Sequence, residues 1–409
     1  MEKVFTIIPL LNKTDDAEKR YAEFSSLLST AGATCSGVEN CKITKIVPST
    51  FIGKGKLSEI KNFCEEANVE TVAFDGELTP SQTLNMSEAL GGIKVIDRTT
   101  LILDIFALSA KSAEGKIQVE LAQLKYIYPR LKGKGEALSR LGGGIGTRGP
   151  GESKLETDRR HIRRRINYLE ARLKELKTRR NAQTERRKRN NALSVALVGY
   201  TNTGKSTLLN ALTGSDVLSE NKLFATLDPT LRKFDLGEYK IILADTVGFI
   251  KNVPTSLIEA FKSTLETAAC ADLDLIVCDA ENDWEEQLKT TMDMLDELNA
   301  TSPRILVMNK SENITDFSVF PADAVFVSAL YKKGFDGLIN RIKSVLASNF
   351  KKMEFFVKYN EISDFMLLKD YAESTEIEYA DDGATVKLIA KNENVAKFDR
   401  FLTIKTREF

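Results

Sequence analysis

No stretch of this 409-residue sequence approaches the roughly 20 consecutive apolar residues that a membrane-spanning helix needs, which excludes a helical membrane protein. The segment Met1 to Leu10 lacks the basic region, long apolar run and small-residue cleavage site of a secretory signal, so the expected location is cytoplasmic. Cysteine is scarce: the five residues Cys35, Cys41, Cys64, Cys270 and Cys278 include no CxxC pair and no histidine partner at zinc spacing. Their odd number argues against a disulfide framework, and reduced, mostly structural thiols are expected. His161 is the sole histidine, which leaves histidine catalysis and zinc chemistry without support; it reads as a helix-surface residue. Net charge is also missing, with 58 basic and 58 acidic side chains.

That zero conceals a local imbalance. From Arg130 to Asn190 there are 20 Lys or Arg against 7 Asp or Glu. A long positive segment beside an acidic remainder is what a polyanion-binding protein presents, and nucleic acid is the commonest such partner; a solvated helix face is the plainer alternative. A hydrophobic content of 42% with 28% charged residues is that of a soluble globular protein. The length exceeds what one core serves, predicting two to four domains.

Residues 1–110 alternate short apolar runs (Val4–Ile8, Cys41–Val47, Thr71–Phe74, Ile93–Ile96) with amphipathic stretches at 15–30, 56–67 and 80–90, an α/β rhythm. Within it Phe51-Ile-Gly-Lys-Gly-Lys is either a strand-to-helix turn or a small anion-binding nest. A second region, 111–190, begins with a helix over Gln118–Leu131 that Pro129 ends. The segment Leu141–Ser153 is too rich in glycine for a regular element and is read as a loop, either linker or phosphate-approaching, flanked by Lys132, Lys134, Arg140, Arg148 and Lys154. From Leu155 to Arg189 there is no proline or glycine, and Ile162, Ile166, Leu169, Leu173 and Leu176 form a helical stripe. The prediction is an antiparallel hairpin with basic outer faces, on which Arg159, Arg160, Arg163 and Arg164 join the candidate RNA contacts. From 191 to 350, apolar runs at Leu193–Val198, Ile241–Ala244, Leu273–Cys278, Arg304–Met308 and Ala324–Val327 alternate with helices, as buried parallel strands do. Residues 351–409 read as a small α+β domain.

The chemistry lies in the third region. Gly199-Tyr200-Thr201-Asn202-Thr203-Gly204-Lys205-Ser206 fits GxxxxGK[ST], with a strand before it and a helix beginning at Thr207 after it. Backbone N–H groups freed by the glycines face the phosphates, Lys205 serves the β/γ-phosphates and Ser206 ligates Mg²⁺. Downstream, Phe224-Ala225-Thr226-Leu227-Asp228-Pro-Thr230 offers a threonine to close the metal shell: Thr226 first, Thr230 as the alternative. Asp245-Thr246-Val247-Gly248 supplies a carboxylate to the metal shell through water and a glycine N–H to the γ-phosphate. Asn309-Lys310-Ser-Glu312 matches the guanine-reading NKxD except for its last residue, and Ser328-Ala329-Leu330 suits the loop that meets guanine O6. The order of these elements predicts a GTP-binding and GTP-hydrolysing protein, with Lys205, Thr226 and Gly248 serving the transferred phosphoryl group. Phe249 stands where a water-orienting glutamine follows DxxG in Ras-like enzymes. Slow intrinsic turnover is therefore expected, helped by a partner surface or by K⁺ near Asn202, whose alternative role is a loop-stabilising hydrogen bond.

These motifs, with Asp97-Arg98, Gln118-Val-Glu-Leu-Ala-Gln-Leu and Gly142-Gly-Gly-Ile-Gly-Thr-Arg-Gly-Pro-Gly-Glu-Ser, resemble the HflX family of translation-associated GTPases over most of the chain. The resemblance implies a multidomain α/β fold: an N-terminal α/β domain with a long helical hairpin, a Ras-like P-loop G domain and a small C-terminal domain. It also implies binding to the large ribosomal subunit and its RNA, with a role in splitting or rescuing stalled ribosomes. The expected state away from the ribosome is monomeric. A large-subunit assembly GTPase, a nucleotide-gated module with little hydrolysis and a membrane-surface GTPase are the competing readings.

Overall fold

A computed structural model describes residues 2–11, 16–131, 150–188, 192–214, 224, 230–237, 239–250, 257, 270–372 and 374–401. They pack as two units, the first holding the described residues up to Glu175 with Phe224 and Leu257, the second the remainder from Leu176 onward.

The first unit is built on a parallel sheet in the order β2-β1-β3-β4, formed by β1 (Glu2–Leu10), β2 (Ala33–Lys42), β3 (Thr71–Phe74) and β4 (Lys94–Asp97). One face packs Phe5, Ile7, Val72 and Phe74 against Leu57, Ile60 and Cys64 of α2 (Lys54–Ala67) and Met86 of α3 (Pro80–Ala89). The remaining helices are α1 (Ala17–Thr30), α4 (Arg98–Ser109), α5 (Ala113–Arg130) and α6 (Pro150–Lys188). Side-chain caps start several of them: Asp16 at α1, Asp97 at α4, Ser112 at α5, and at α3 a reciprocal Thr79–Gln82 box followed by Pro80.

Three features differ from expectation. The second strand runs over Ala33–Lys42 instead of 41–47, since one of its faces is exposed and its small polar residues hide the pattern. Helix α4 was not anticipated, because Leu-Ile-Leu-Asp-Ile-Phe is apolar almost all round and carries no helical period. Helix α6 begins at Pro150, inside the segment read as loop, where proline's fixed φ suits the first helical turn; residues 141–149 of that segment lie outside the described residues. The stripe behaves as predicted: Ile162, Ile166, Leu169, Leu173 and Leu176 are covered, while His161 is exposed. Arg165 chelates Glu120 of α5 through Nε at 2.6 Å and Nη2 at 2.8 Å, and Lys125 reaches Glu170 at 2.8 Å.

At the carboxyl end of the first sheet, Asp75 takes Arg98 at 2.6 Å and Arg20 at 2.7 Å, and Arg98 also pairs with Glu23. Asp75 and Arg98 are both buried, so each neutralises a charge that would otherwise be stranded.

The second unit carries a six-stranded sheet, β10-β9-β8-β5-β7-β6. Its strands are β5 (Ala192–Val198), β6 (Thr230–Asp235), β7 (Lys240–Asp245), β8 (Leu273–Asp279), β9 (Arg304–Asn309) and β10 (Val325–Phe326), with only β6 antiparallel to its neighbour. Helices α7 (Lys205–Thr213), α8 (Trp284–Glu297) and α9 (Phe335–Asn349) accompany it. Leu193, Val195, Leu197, Leu275, Val277 and Val307 meet Leu208, Leu338 and Ile342 in one core. Strand β11 (Phe350–Lys358) follows α9 directly and pairs antiparallel with β13 (Gly383–Lys391), which pairs with β12 (Ser374–Ala380); α10 (Ile362–Leu368) lies between β11 and β12 in sequence. Phe350 and Ile389 join the core of the six-stranded sheet, whereas Phe355, Phe365, Phe398 and Phe401 form a second apolar cluster.

Candidate nucleotide-binding site

The loop Gly199–Gly204 joins the end of β5 to the start of α7, at the carboxyl edge where open α/β sheets take ligands. Its glycines are obligatory for two reasons. Gly199 and Gly204 have φ of +153° and +88°, and a Cβ would drive into the Val277 carbonyl at the first and the Asn309 side-chain nitrogen at the second. Asn202 also adopts a left-handed backbone, at φ +63°. Lys205 is buried at 6% exposure, and its Nζ donates to the carbonyls of Gly199 at 3.0 Å and Tyr200 at 2.6 Å. Burial pushes its ammonium down to about 8, against the opposing pull of Asp245.

Next to the lysine, Ser206 Oγ donates to Asp245 Oδ2 at 2.6 Å. A hydroxyl and a carboxylate side by side at a phosphate loop are the hard oxygen donors that Mg²⁺ takes, so the residues fit that ion with phosphate oxygens completing the shell. Among the described residues no cluster of three or more His, Cys, Asp or Glu could hold a metal unaided. Thr246 is buried and donates to the Leu197 carbonyl at 2.7 Å, and Gly248 lies so close to Thr201 that a Cβ would meet its Cα at 2.8 Å. Phe249 is tied to the phosphate loop by its backbone: Thr201 N–H donates to its carbonyl at 2.7 Å, and its own N–H donates to Gly199 at 3.0 Å. Its ring is buried.

On the base side, Asn309 at the end of β9 donates through Nδ2 to the Thr203 carbonyl at 2.8 Å and accepts the Ala329 N–H at 3.0 Å. One side chain thus joins the phosphate loop to the Ser328–Leu330 loop. Lys310 donates to the Asn202 carbonyl at 2.9 Å and to Asp279 at 2.7 Å. Glu312 is exposed on a short 3-10 turn, Ser311–Asn313. Ser328 and Ala329 are buried and Leu330 is exposed. Thr207, half-buried, follows in the first turn of α7.

The predicted residues Ala225, Thr226, Leu227 and Asp228 lie outside the described residues, as do Lys132, Lys134, Arg140 and Arg148. Phe224 packs with the first unit, its ring edge-on to Phe106 at 4.8 Å. Thr230, the alternative metal-side threonine, opens β6. Lys154 falls within α6, and of the arginines on that helix Arg160, Arg163 and Arg164 are exposed while Arg159 is partly covered, 5.3 Å from the Tyr128 ring. Sequence reasoning overlooked Asp279, which holds Lys310. Its only sequence signal is a charged residue closing the apolar run Leu275–Cys278 of β8.

The glycine loop between β5 and α7, tied by Asn309 and Lys310 to the turn after β9 on an open, mostly parallel sheet, places the second unit in the P-loop GTPase class. Comparison with known proteins narrows the class. Residues 18–107, 109–187 and 194–310 match the families described as GTP-binding GTPase N-terminal, GTP-binding GTPase Middle Region and 50S ribosome-binding GTPase. GTPase HflX of Caldanaerobacter subterraneus subsp. tengcongensis is 47% identical over 384 residues, covering 93% of this chain and 89% of that protein. GTPase HflX of Escherichia coli is 44% identical over 298 residues, covering 72% and 70%. A GTP-binding protein from Sulfolobus solfataricus, solved with GDP, is 26% identical across 84% of this chain and 98% of that one, at a TM-score of 0.46. The chain belongs to the HflX GTPase family and is a GTP-hydrolysing enzyme. Among the described residues no helix is long and apolar enough to cross a membrane.

Proposed function

We propose that this GTPase associates with the large ribosomal subunit through contacts to its RNA, and that it splits or rescues stalled ribosomes in a GTP-dependent manner. The observation that carries the reading is the uncovered basic face of α6, where Arg160, Arg163 and Arg164 are exposed opposite the covered apolar stripe. Guanidinium groups set along a rigid helix suit phosphate contacts, which position a protein on RNA without reading its sequence. The match of residues 194–310 to a family described as ribosome-binding supports the same partner.

In the nucleotide site, the N–H groups of Gly199–Ser206 cradle the phosphates and Lys205 holds the β/γ oxygens. Ser206, Thr226 and, through water, Asp245 would hold Mg²⁺, and Gly248 N–H would meet the γ-phosphate. When bound there, Mg²⁺ would supply positive charge to offset that of the phosphates. Asn309, Lys310, Glu312 and the Ser328–Leu330 loop hold guanine. With the Phe249 ring buried, no side chain at that position orients water, so turnover is slow alone and rises on the partner. Asn202 is the candidate ligand for a K⁺ ion that assists, which exchange of K⁺ for Na⁺ in a turnover assay tests.

The association is tested by co-sedimentation with large subunits, using a non-hydrolysable GTP analogue or GDP, across about 50 to 200 mM salt. Phosphate contacts predict binding that favours the analogue and falls by orders of magnitude with salt. Binding indifferent to salt and nucleotide would remove RNA as the main contact and the nucleotide as the switch.

A further inference from the structure

The turn at the end of β8, from Asp279 to Asp283, is bonded to the base-reading segment at three points. Ala280 N–H donates to the Asn309 carbonyl at 2.8 Å, Lys310 Nζ donates to Asp279 Oδ2 at 2.7 Å, and Asn313 Nδ2 donates to Glu281 Oε1 at 2.6 Å. The turn is itself held in shape. Asp279 Oδ1 accepts the Glu281 N–H at 3.0 Å, Asn282 Nδ2 donates to Asp279 Oδ2 at 3.1 Å, and Gln287 of α8 accepts the Asp279 N–H at 2.9 Å while donating to the Asn282 carbonyl at 2.6 Å. Asp283, at φ +32°, then reverses the chain into α8.

The base-reading turn is fastened on its other side as well. Ser311 donates to the Val327 carbonyl through its N–H at 3.3 Å and its hydroxyl at 2.9 Å. Glu312 therefore stands between two anchored neighbours, Ser311 on the β10 side and Asn313 on the β8 side. Its carboxylate hangs on one methylene more than the aspartate of NKxD, and a longer side chain has more rotamer freedom to lose when it must face two donors of a guanine ring at once. Fixing the backbone on both sides confines where that carboxylate can go.

We propose that the Asp279–Asp283 turn is a strut for guanine recognition, and that Glu281, acting through Asn313, is a positioning residue that sets the Glu312 carboxylate against the base and so determines specificity. The inference rests on Glu312 being the base reader. Glu281 itself touches no nucleotide atom, and Asp279 acts in the same way through Lys310.

The test measures GDP and IDP affinities of the full chain by titration calorimetry. IDP lacks the 2-amino group and so loses one donor to the carboxylate. The wild type is expected to prefer GDP by about tenfold, the effect of one charge-assisted hydrogen bond. Glu281→Ala is expected to reduce that preference to about threefold or less by weakening GDP more than IDP, which keeps only the N1–H donor, Asn313→Ala to do the same, and Glu281→Gln, which keeps an acceptor for Asn313, to retain it. Wild-type preference in Glu281→Ala, or an equal weakening of both nucleotides, would overturn the strut. Loss of preference in Glu312→Ala alongside either result would show that the base reader stands while the strut falls. A Glu312→Ala variant that still prefers GDP like the wild type would overturn the base-reading assignment, and the strut with it.

Discussion

Lys205 gives the site a pH dependence whose size follows from its surroundings. In the protein its ammonium is buried against the Gly199 and Tyr200 carbonyls and ionises at about 8, well below the ordinary 10.5 of a lysine. A polyphosphate in the loop brings negative charge within reach and pulls the value back up, so nucleotide binds the charged form. The sign follows: affinity is complete well below pH 8 and weakens as the pH rises through it. Between about pH 7 and about pH 8.8 the charged fraction falls from roughly nine-tenths to roughly one-seventh, which weakens GDP binding about sixfold. Near pH 8 binding should take up about half a proton, seen as a dependence of calorimetric heat on the ionisation enthalpy of the buffer. Lys205→Arg, with a guanidinium that stays charged, should abolish the slope whatever it does to the absolute affinity. A flat wild-type profile, or the same slope in Lys205→Arg, would refute the argument.

Three further outcomes are expected. Gly204→Ala forces a Cβ into Asn309 at φ +88° and should weaken GDP binding on the order of thirtyfold through about 2 kcal/mol of strain, whereas Gly214→Ala, with nothing within 4 Å, should leave affinity intact by the same titration. Asp274 is fully buried in β8 with neither carboxylate oxygen hydrogen-bonded, and burial raises it from 3.8 to about 7. The folded state therefore holds a proton that the unfolded chain releases, so stability should fall by about 4 kcal/mol as pH rises from roughly 4 to 7, and Asp274→Asn should flatten that decline in denaturant melts of the second unit. Arg98→Met leaves the buried Asp75 with Arg20 alone and should cost about 3 kcal/mol in urea unfolding of the first unit, unlike Arg165→Met, whose exposed pair with Glu120 is worth under about 1 kcal/mol.

Much of this was legible in the sequence where burial and period agree. The strand β3 and the stripe of α6 fall on the residues that periodicity marks, because each has an apolar set with a single geometric explanation. Helix α4 was hidden because a helix covered on nearly all sides has no polar face to mark its period. Strands β2 and β6 were misplaced or missed because edge strands expose half their residues and need little hydrophobicity. The phosphate loop announced itself through the spacing of its glycines and the Lys-Ser pair that follows them. The wiring behind it did not. The bonds of Asn309 to Thr203 and of Lys310 to Asp279 join residues 106 and 31 positions apart, and only the folded sheet brings those residues together.

The most direct test of the account is GTP hydrolysis by the purified protein at fixed salt, with and without large ribosomal subunits, beside a Lys205→Ala control. The account predicts slow turnover alone, strong acceleration by the subunits and loss of both in the control. Turnover that is equally fast without the subunits would contradict it.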